Sequence, residues 1–217
     1  MCGSFALPVE LIEIVDYFNS AEISSGDIRI EVQNFQSDSS IRPTDSVPVL
    51  KTENGEQILE EQSWGFQPDF SSRPLINARA ETVCEKPTFA AAADSRRCLI
   101  PAAAFYEWKQ LKPGNKKTRF TISIADRKMF SLAGLYSPYS LNDERKNCFV
   151  VITRTARGEL RKIHDRMPVI LDSEDEKSWL NHSLSDEQIK TLLTKNRNRD
   201  LVIDPSPDST EEQLSLF

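Results

Sequence analysis

The chain has 217 residues, of which 39% are hydrophobic and 28% charged, so it is long enough for one domain with a sizeable core. Its formal net charge of −6 argues, by itself, against a polyanion as partner. No basic region of a signal peptide opens the chain, and the apolar stretch CLIPAAAFY is too short to span a bilayer, so we expect a cytoplasmic protein.

The predicted elements begin with a helix. PVELIEIVDYFN places Val9, Ile12, Val15 and Phe18 at helical spacing behind Pro8. Further along, FTISIAD alternates apolar and polar residues as a half-buried strand does. The following DRK leads into MFSLAGLY, and this pattern predicts a hairpin.

The second half of the chain mixes strand and helix signals. CFVVIT is a continuous apolar run, typical of a buried strand. Ser173 with Glu176, and Ser185 with Gln188, have the spacing of capping boxes and predict two helix starts. Because no strand–helix–strand rhythm is present, we predict a single compact, β-rich α+β domain over residues 1–200. Residues 201–217 are acidic and polar, which predicts a flexible tail.

Charge is distributed unevenly. Residues 1–72 hold thirteen acidic residues against three basic ones, whereas residues 73–130 hold twelve basic residues against five acidic ones. A basic face on an acidic protein would suit a polyanion. Solvated strand ends explain the charges in RKM and KPGNKK at least equally well.

The four cysteines point to chemistry at the chain's start rather than to a metal or a disulfide. They contain no Cys-x-x-Cys pair, so we expect neither a zinc site nor a disulfide framework, and no cofactor. Cys2 follows the initiator methionine, and its small side chain permits methionine removal. An exposed α-amine has a pKa of about 7.7–8.0 and is partly neutral at physiological pH. With the neighbouring thiol it can convert an aldehyde into an imine and then into a thiazolidine ring.

Such a nucleophile needs acid–base partners. Glu107 lies between two aromatic residues, where apolar neighbours raise a carboxyl pKa, although an exposed strand position is equally consistent with the pattern. Of the two histidines, His164 in KIHDRMPVIL is the better candidate and His182 is typical of a surface position. Asn77 can hydrogen-bond a substrate or the cysteine amine, and Arg79 can bind a phosphate; an ordinary loop-to-strand junction is the alternative.

Seven motifs occur together in the order and spacing of one family. They are MCG, RPTDSVPVL, WGF, LINARAET, PAAAFYEWK, VVIT and IHDRMPVIL. From residue 1 to about residue 200 the chain resembles the SOS-response-associated peptidase (SRAP) family of abasic-site processing proteins. The resemblance implies a compact domain that binds single-stranded DNA and cross-links the aldehyde of an abasic site through an N-terminal thiazolidine, shielding the lesion at replication forks.

The resemblance also implies roles for individual residues. Cys2 is the nucleophile through nitrogen and sulfur, and Asn77 orients the sugar or the amine. Glu107 accepts and donates protons beside the amine, and His164 assists sugar-ring opening. The remaining positions that it assigns to DNA binding are Arg79 and Arg166 at the backbone, and Thr153 and Trp108 lining the site.

Three departures from the family pattern concern DNA affinity. Ser4 stands where the family usually has arginine, and Ser40 and Arg42 replace an asparagine and an alanine. Phe70 takes the place of expected tryptophans, and losing a stacking platform costs on the order of 1–3 kcal/mol per base. We expect weaker DNA binding, with Arg42 as a substitute for the charge missing at Ser4, and retained covalent chemistry.

The last five residues form a separate motif. QLSLF matches the pentapeptide with which bacterial repair and replication proteins bind the sliding clamp. The residues concerned are Gln213, Leu214, Ser215, Leu216 and Phe217. The alternative is that this segment packs back on the domain. A clamp motif also suggests a bacterial or phage source. We expect a monomer that is associated with the nucleoid.

Two other function classes stay open at this point. N-terminal-nucleophile amidohydrolases and amidotransferases also begin Cys-Gly after methionine removal, although their glutamine-binding motifs are not found here. A non-catalytic, clamp-tethered single-strand binder is the second. Within the abasic-site hypothesis, strand cleavage by a lyase step and a peptidase-like removal of the residue before Cys2 are further possible activities.

Overall fold

The computed structural model describes residues 2–20, 23, 27–110, 117–141, 144–195 and 200–206, without the side chains of 139–141 and 144–146. The predicted clamp-binding residues 213–217 lie outside the described residues.

The helices are α1 Leu11–Ser20, α2 Pro87–Ser95, α3 Ser173–Leu180 and α4 Asp186–Thr194, with a 3₁₀ helix at Gly158–Lys162. The strands are β1 Phe5–Leu7, β2 Arg29–Glu31, β3 Asp38–Ile41, β4 Ser46–Glu53, β5 Glu56–Trp64, β6 Asn77–Arg79, β7 Arg97–Ala102, β8 Ala104–Lys109, β9 Thr118–Ile124, β10 Phe130–Leu141, β11 Glu144–Thr155, β12 Arg166–Pro168, β13 Ile170–Leu171 and β14 Leu201–Ser206. Mixed α+β architecture is therefore confirmed.

Five strands of the larger sheet close into a barrel. Strands β11, β10, β7, β4 and β5 pair in that order, and the end of β5 then pairs in parallel with β11 at Phe149 and Trp64. Strand β6 continues along the same edge of β11, with Asn77 opposite Val151. The Trp64 and Phe149 rings stack where β5 and β11 meet, at a centroid distance of 6.1 Å.

The first strand of the chain belongs to a second sheet and lies inside the protein. Its strand order is β14-β9-β8-β1-β3, so β1 lies between β8 and β3. Phe5 is fully buried, and its ring lies 5.2 Å from that of Trp64 on the barrel. Because this contact anchors β1, the residues just before Phe5 are also held inside the molecule.

The first helix forms where predicted, but its buried face differs. It begins at Leu11, so Val9 precedes it, and Ile14 and Phe18 are the residues that it buries. Ile12 is 63% exposed, contrary to its predicted place on the apolar stripe. Glu13 fixes the start by accepting a 2.9 Å hydrogen bond from the backbone N–H of Glu10.

The predicted hairpin is wrong. Strand β9 pairs with β8 and β14, whereas β10 pairs with β7 and β11 in the other sheet. The chain does turn near Asp126, which adopts a φ of 58°. Strand β10 is buried on both faces from Phe130 to Tyr136, between β7 and β11 of the barrel.

The buried CFVVIT strand and both late helices are present, with one capping box of two. Ser185 and Gln188 form the reciprocal pair, with hydrogen bonds of 3.3 and 2.8 Å. At α3 the predicted box is wrong: Asp172 occupies the N-cap position without a side-chain bond. Glu176 is buried there and accepts a 2.6 Å hydrogen bond from Tyr17 instead.

The end of the described chain adds one strand. Leu201–Ser206 form β14, which runs antiparallel along β9. The predicted tail from residue 201 thus starts within this edge strand. Among the described residues, no helix is both long enough and apolar enough to cross a membrane.

Candidate active site around Cys2

Cys2 is completely buried, although it is the second residue of the chain. The side-chain amide of Asn77 donates a 2.9 Å hydrogen bond to its carbonyl oxygen, and its thiol lies 3.9 Å from the carbonyl oxygen of Ser4. Its thiol is free. Burial, and then the negative charge of Glu107, raise the pKa of this thiol far above its usual range, so it is a neutral thiol in this structure.

Asn77 reaches Cys2 because β6 lies alongside β11. Alternation along the three-residue strand directs the buried Ala78 to one side, and Asn77 and Arg79 to the other. The Asn77 Oδ1 atom is buried and accepts no hydrogen bond from the described residues. Arg79 is exposed, and its guanidinium forms no hydrogen bond or ion pair with the other described residues, so it is available to an anion.

Glu107 projects from β8 to the same place. It is 2% exposed, and burial raises its pKa to about 7, while the α-amino group at the start of the chain opposes that rise. Its Oε2 atom lies 3.9 Å from Nε2 of His164. A carboxyl group with a pKa near 7 exchanges protons readily at physiological pH, which is the property expected of a general acid–base group.

His164 follows the 3₁₀ helix and is held by its own neighbours. The backbone N–H of Arg166 donates a 2.9 Å hydrogen bond to Nδ1, which leaves the ring proton on Nε2, facing Glu107. The Asp165 carboxylate also lies 2.9 Å from Nδ1, but its side chain is 85% exposed and water screens it. Burial lowers the pKa of His164, in agreement with a neutral ring.

Arg166 and Thr153 lie next to this group. The Arg166 guanidinium binds both carboxylate oxygens of Glu81, at 2.7 and 2.9 Å, and the carbonyl oxygen of Thr153 at 2.7 Å. The Arg166 guanidinium is therefore already paired with the Glu81 carboxylate, and a DNA phosphate would have to share this guanidinium with Glu81. Thr153 is fully buried, and its hydroxyl donates to the carbonyl oxygen of Ala78 at 3.4 Å.

Two further predicted DNA-binding residues are Trp108 and Phe70. Trp108 is on the opposite face of β8 from Glu107, in a small apolar group with Tyr106, Ala6 and Ala104. Phe70 is 76% exposed in the loop between β5 and β6.

Ser4 and Arg42 are neighbours in the structure. Ser4 is 5% exposed, and its hydroxyl donates a 2.9 Å hydrogen bond to the carbonyl oxygen of Ile41, the residue before Arg42. Arg42 is half-buried, and its backbone N–H donates to Asp45 at 2.8 Å.

Sequence reasoning missed one member of the site. Glu81 lies two residues after Arg79 in NARAET, and Arg166 holds its pKa at about 2. An acidic residue in the most basic third of the chain was the available signal. Among the described residues, no group of three or more His, Cys, Asp or Glu side chains is arranged to hold a metal ion.

Comparisons with known proteins agree on one family. The sequence pattern of the SOS response associated peptidase (SRAP) family matches residues 1–209. The chain is 34% identical over 200 residues to the abasic site processing protein YoqW of Bacillus subtilis, covering 89% of this chain and 86% of YoqW. It is 31% identical over 154 residues to the abasic site processing protein YedK of Escherichia coli, covering 70% and 68%. A solved phage-related protein of Bordetella bronchiseptica shares the fold with a TM-score of 0.77 and 23% identity, covering 95% of each chain. The chain belongs to the SRAP family.

Proposed function

We propose that this protein processes abasic sites in single-stranded DNA by forming a covalent cross-link through Cys2 after Met1 is removed. The observation that carries the proposal is the meeting of Cys2 with Asn77, which holds its carbonyl oxygen, and with buried Glu107, whose pKa is raised to about 7. The relatives named as abasic site processing proteins support the choice of substrate.

The first chemical step uses the Cys2 amine. The neutral amine attacks the aldehyde carbon of the ring-opened sugar, and the carbinolamine that forms loses water to give an imine. Glu107 accepts a proton from the attacking nitrogen and returns one to the departing hydroxyl. A pKa of about 7 allows both transfers at neutral pH, because neither protonation state of the carboxyl is rare.

The second step uses the Cys2 thiol. Sulfur adds to the imine carbon, its proton passes to the nitrogen, and a five-membered thiazolidine ring closes. In total, one amine, one thiol and one aldehyde give one ring and one water. Since burial and Glu107 keep the thiol protonated, the sulfur is protected until the imine forms.

His164 is placed to prepare the substrate. An abasic sugar is mostly a closed hemiacetal, and opening it moves the proton of the C1 hydroxyl to the ring oxygen. The Nε2–H group of His164 gives its proton to the ring oxygen, and the Glu107 carboxylate takes the hydroxyl proton. Glu107, whose Oε2 lies 3.9 Å from Nε2, then returns that proton to His164.

The DNA strand is positioned by charge rather than by base recognition. Arg79 presents an exposed guanidinium on the same side of β6 as Asn77, within the basic part of the sequence. Contacts of this kind hold phosphates and carry no sequence information, which suits a protein that recognises a missing base.

A denaturing gel tests the proposal. Protein shown by mass to lack Met1 is mixed with single-stranded DNA that contains one abasic site, beside Cys2→Ala and Cys84→Ala. Cys84 is half-buried and remote in sequence, so it serves as the matched cysteine control. We expect a shifted band for the wild type and Cys84→Ala only. A band that persists in Cys2→Ala would refute the proposal.

We also propose that residues 213–217 tether the protein to the bacterial sliding clamp, where the cross-link shields the lesion at a replication fork. The support is the full match of QLSLF to the clamp-binding pentapeptide. Burial of three large apolar side chains, reduced by the ordering of the segment, suggests an affinity of about 1 μM.

Clamp titration by calorimetry tests the tether. Leu216→Ala with Phe217→Ala should abolish binding, whereas Ser215→Asp, which keeps the pentapeptide pattern, should retain it. Equal affinity for all three proteins would exclude the motif as the tether.

A further inference from the structure

Glu81 lies outside the group of reacting side chains, yet hydrogen bonds through Arg166 connect it to His164. Its carboxylate binds Arg166 through both oxygens, and the backbone N–H of Arg166 donates to Nδ1 of His164. His164 in turn faces Glu107 across 3.9 Å. The Arg166 side chain and the His164 ring are therefore anchored through the same residue.

The backbone at Arg166 needs such an anchor. Strand β12 has three residues and lies at the edge of the sheet, where β11 is its only partner strand among the described residues. The Arg166 guanidinium fastens it at two further points, the carbonyl oxygen of Thr153 and the carboxylate of Glu81. Glu81 lies two residues after the end of β6, so the segment that carries Asn77 also carries the carboxylate that anchors Arg166 beside His164.

Two groups compete for Nδ1 of His164, and they require opposite protonation states. The Arg166 N–H, at 2.9 Å, needs a bare nitrogen and leaves the proton on Nε2. The Asp165 carboxylate, also at 2.9 Å, needs a proton on Nδ1. Which of these two groups binds Nδ1 therefore determines whether the proton of the neutral ring lies on Nε2, facing Glu107.

We infer that Glu81 is a positioning residue: by clamping Arg166 it keeps the backbone N–H on Nδ1 and so selects the Nε2–H tautomer of His164. This inference rests on the proposed function for its catalytic meaning, because the tautomer matters when His164 protonates the sugar oxygen. Without Glu81, the Arg166 backbone shifts and the Asp165 carboxylate accepts a hydrogen bond from a proton on Nδ1 of His164. The pKa of His164 then rises.

The direction in which the pKa of His164 changes distinguishes this positioning role from a through-space effect of charge. The other charges near the ring are Glu107, Asp165, Lys117 and the α-amino group at the start of the chain. Removing the Glu81 charge and releasing the Arg166 cation would each lower the pKa of His164 through space. A gain of the Asp165 contact raises it instead.

Nitrogen-15 NMR of the imidazole rings measures this directly, since the chain has two histidines. The proteins are wild type, Glu81→Gln and Glu85→Gln, with His182→Gln to assign the signals. Glu85 is the matched control, because it too is paired with a basic side chain, Lys190, at 2.8 Å.

In Glu81→Gln we expect the His164 titration midpoint to rise and its Nε2–H tautomer to become less populated, with His182 unchanged. Glu85→Gln should behave as the wild type. Relative to the wild type, the cross-linking rate of Glu81→Gln should fall on the order of tenfold above the His164 midpoint, where the neutral ring of the variant lacks the proton on Nε2. It should recover at lower pH, where the imidazolium carries that proton.

An unchanged or lowered His164 midpoint in folded Glu81→Gln would overturn the inference. The NMR readout needs no DNA, so a wild type that forms no cross-link would end the proposed function and still leave the role of Glu81 decided.

Discussion

The side-chain amide of Asn77 donates a 2.9 Å hydrogen bond to the carbonyl oxygen of Cys2, and this bond fixes the start of the chain beside β6. Chain termini are usually mobile, and a nucleophile on a mobile end would lose most of the rate gained from orientation. Here the second residue is as buried as the core. Asn77 thus acts first on the protein's own backbone.

Replacing Asn77 should therefore slow cross-linking more than it destabilises the fold. For Asn77→Ala we expect a rate about 10- to 100-fold lower, because Cys2 loses its orientation, and a stability loss of about 1 kcal/mol for one hydrogen bond. Single-turnover cross-linking and chemical denaturation measure the two effects. Asn147→Ala removes an amide that binds Glu60 instead, and should leave the rate unchanged. Equal rates for both variants would contradict this role.

The raised pKa of Glu107 predicts a pH dependence of stability. Burial raises it from 4.5 to about 7, so the unfolded chain loses this proton at lower pH than the folded protein does. The folded state is therefore favoured fully below about pH 4.5, loses stability as the pH rises to about 7, and then levels off. The total loss is on the order of 3 kcal/mol.

Glu107→Gln removes this penalty. We expect it to be more stable than the wild type at pH 8 and equally stable at pH 4, while its cross-linking rate falls about 100-fold. Thermal unfolding at the two pH values checks the first part. Glu159→Gln is the control, because the Glu159 side chain is 75% exposed. A stability gain that is the same at both pH values would show that Glu107 is not buried as a neutral acid.

Cys2→Ser should separate the two chemical steps. Serine also permits methionine removal and keeps the α-amine, but its hydroxyl is a poor substitute for sulfur in ring closure. We expect an adduct that survives denaturation only after borohydride reduction of the imine, and more strand cleavage, because an unclosed imine stays open to β-elimination. A stable adduct without reduction would mean that sulfur is not needed.

Arg97 should be among the most sensitive positions for stability. It is fully buried, and its guanidinium donates to four carbonyl oxygens at the ends of α2 and α3: Ala93, Asp94, Trp179 and Asn181. Arg97→Met leaves these acceptors without donors, which should cost about 3–5 kcal/mol. Denaturant unfolding measures the loss. Arg96→Met, at the half-buried neighbour, should cost less than about 1 kcal/mol; equal losses would contradict the account.

Local sequence patterns predicted individual helices and strands better than they predicted which strands pair with each other. Ser185 with Gln188 specified a helix start because both bonds of that motif lie within four residues. The turn at Asp126 was equally visible, yet β9 and β10 enter different sheets. Which sheet a strand joins depends on burial of both its faces by distant residues, and a turn contains no information about that.

The same distinction applies to the site. An N-terminal Cys-Gly and a carboxyl between aromatic residues indicated reactive groups, because their chemistry depends on the residue and its immediate neighbours. Glu81 could not be assigned in this way: its partner Arg166 is 85 residues away, and only the fold brings them together. Trp108 was assigned to the site although it does not face it: it is next to Glu107 in the sequence, but the two side chains point to opposite faces of β8.

The intact mass of the adduct tests the central claim most directly. Protein lacking Met1 is incubated with a single-stranded oligonucleotide that contains one abasic site, and the product is weighed and digested. We expect the summed masses minus one water, with the N-terminal peptide carrying the sugar on both nitrogen and sulfur of Cys2. An adduct on any other residue, or none with Met1 confirmed absent, would contradict it.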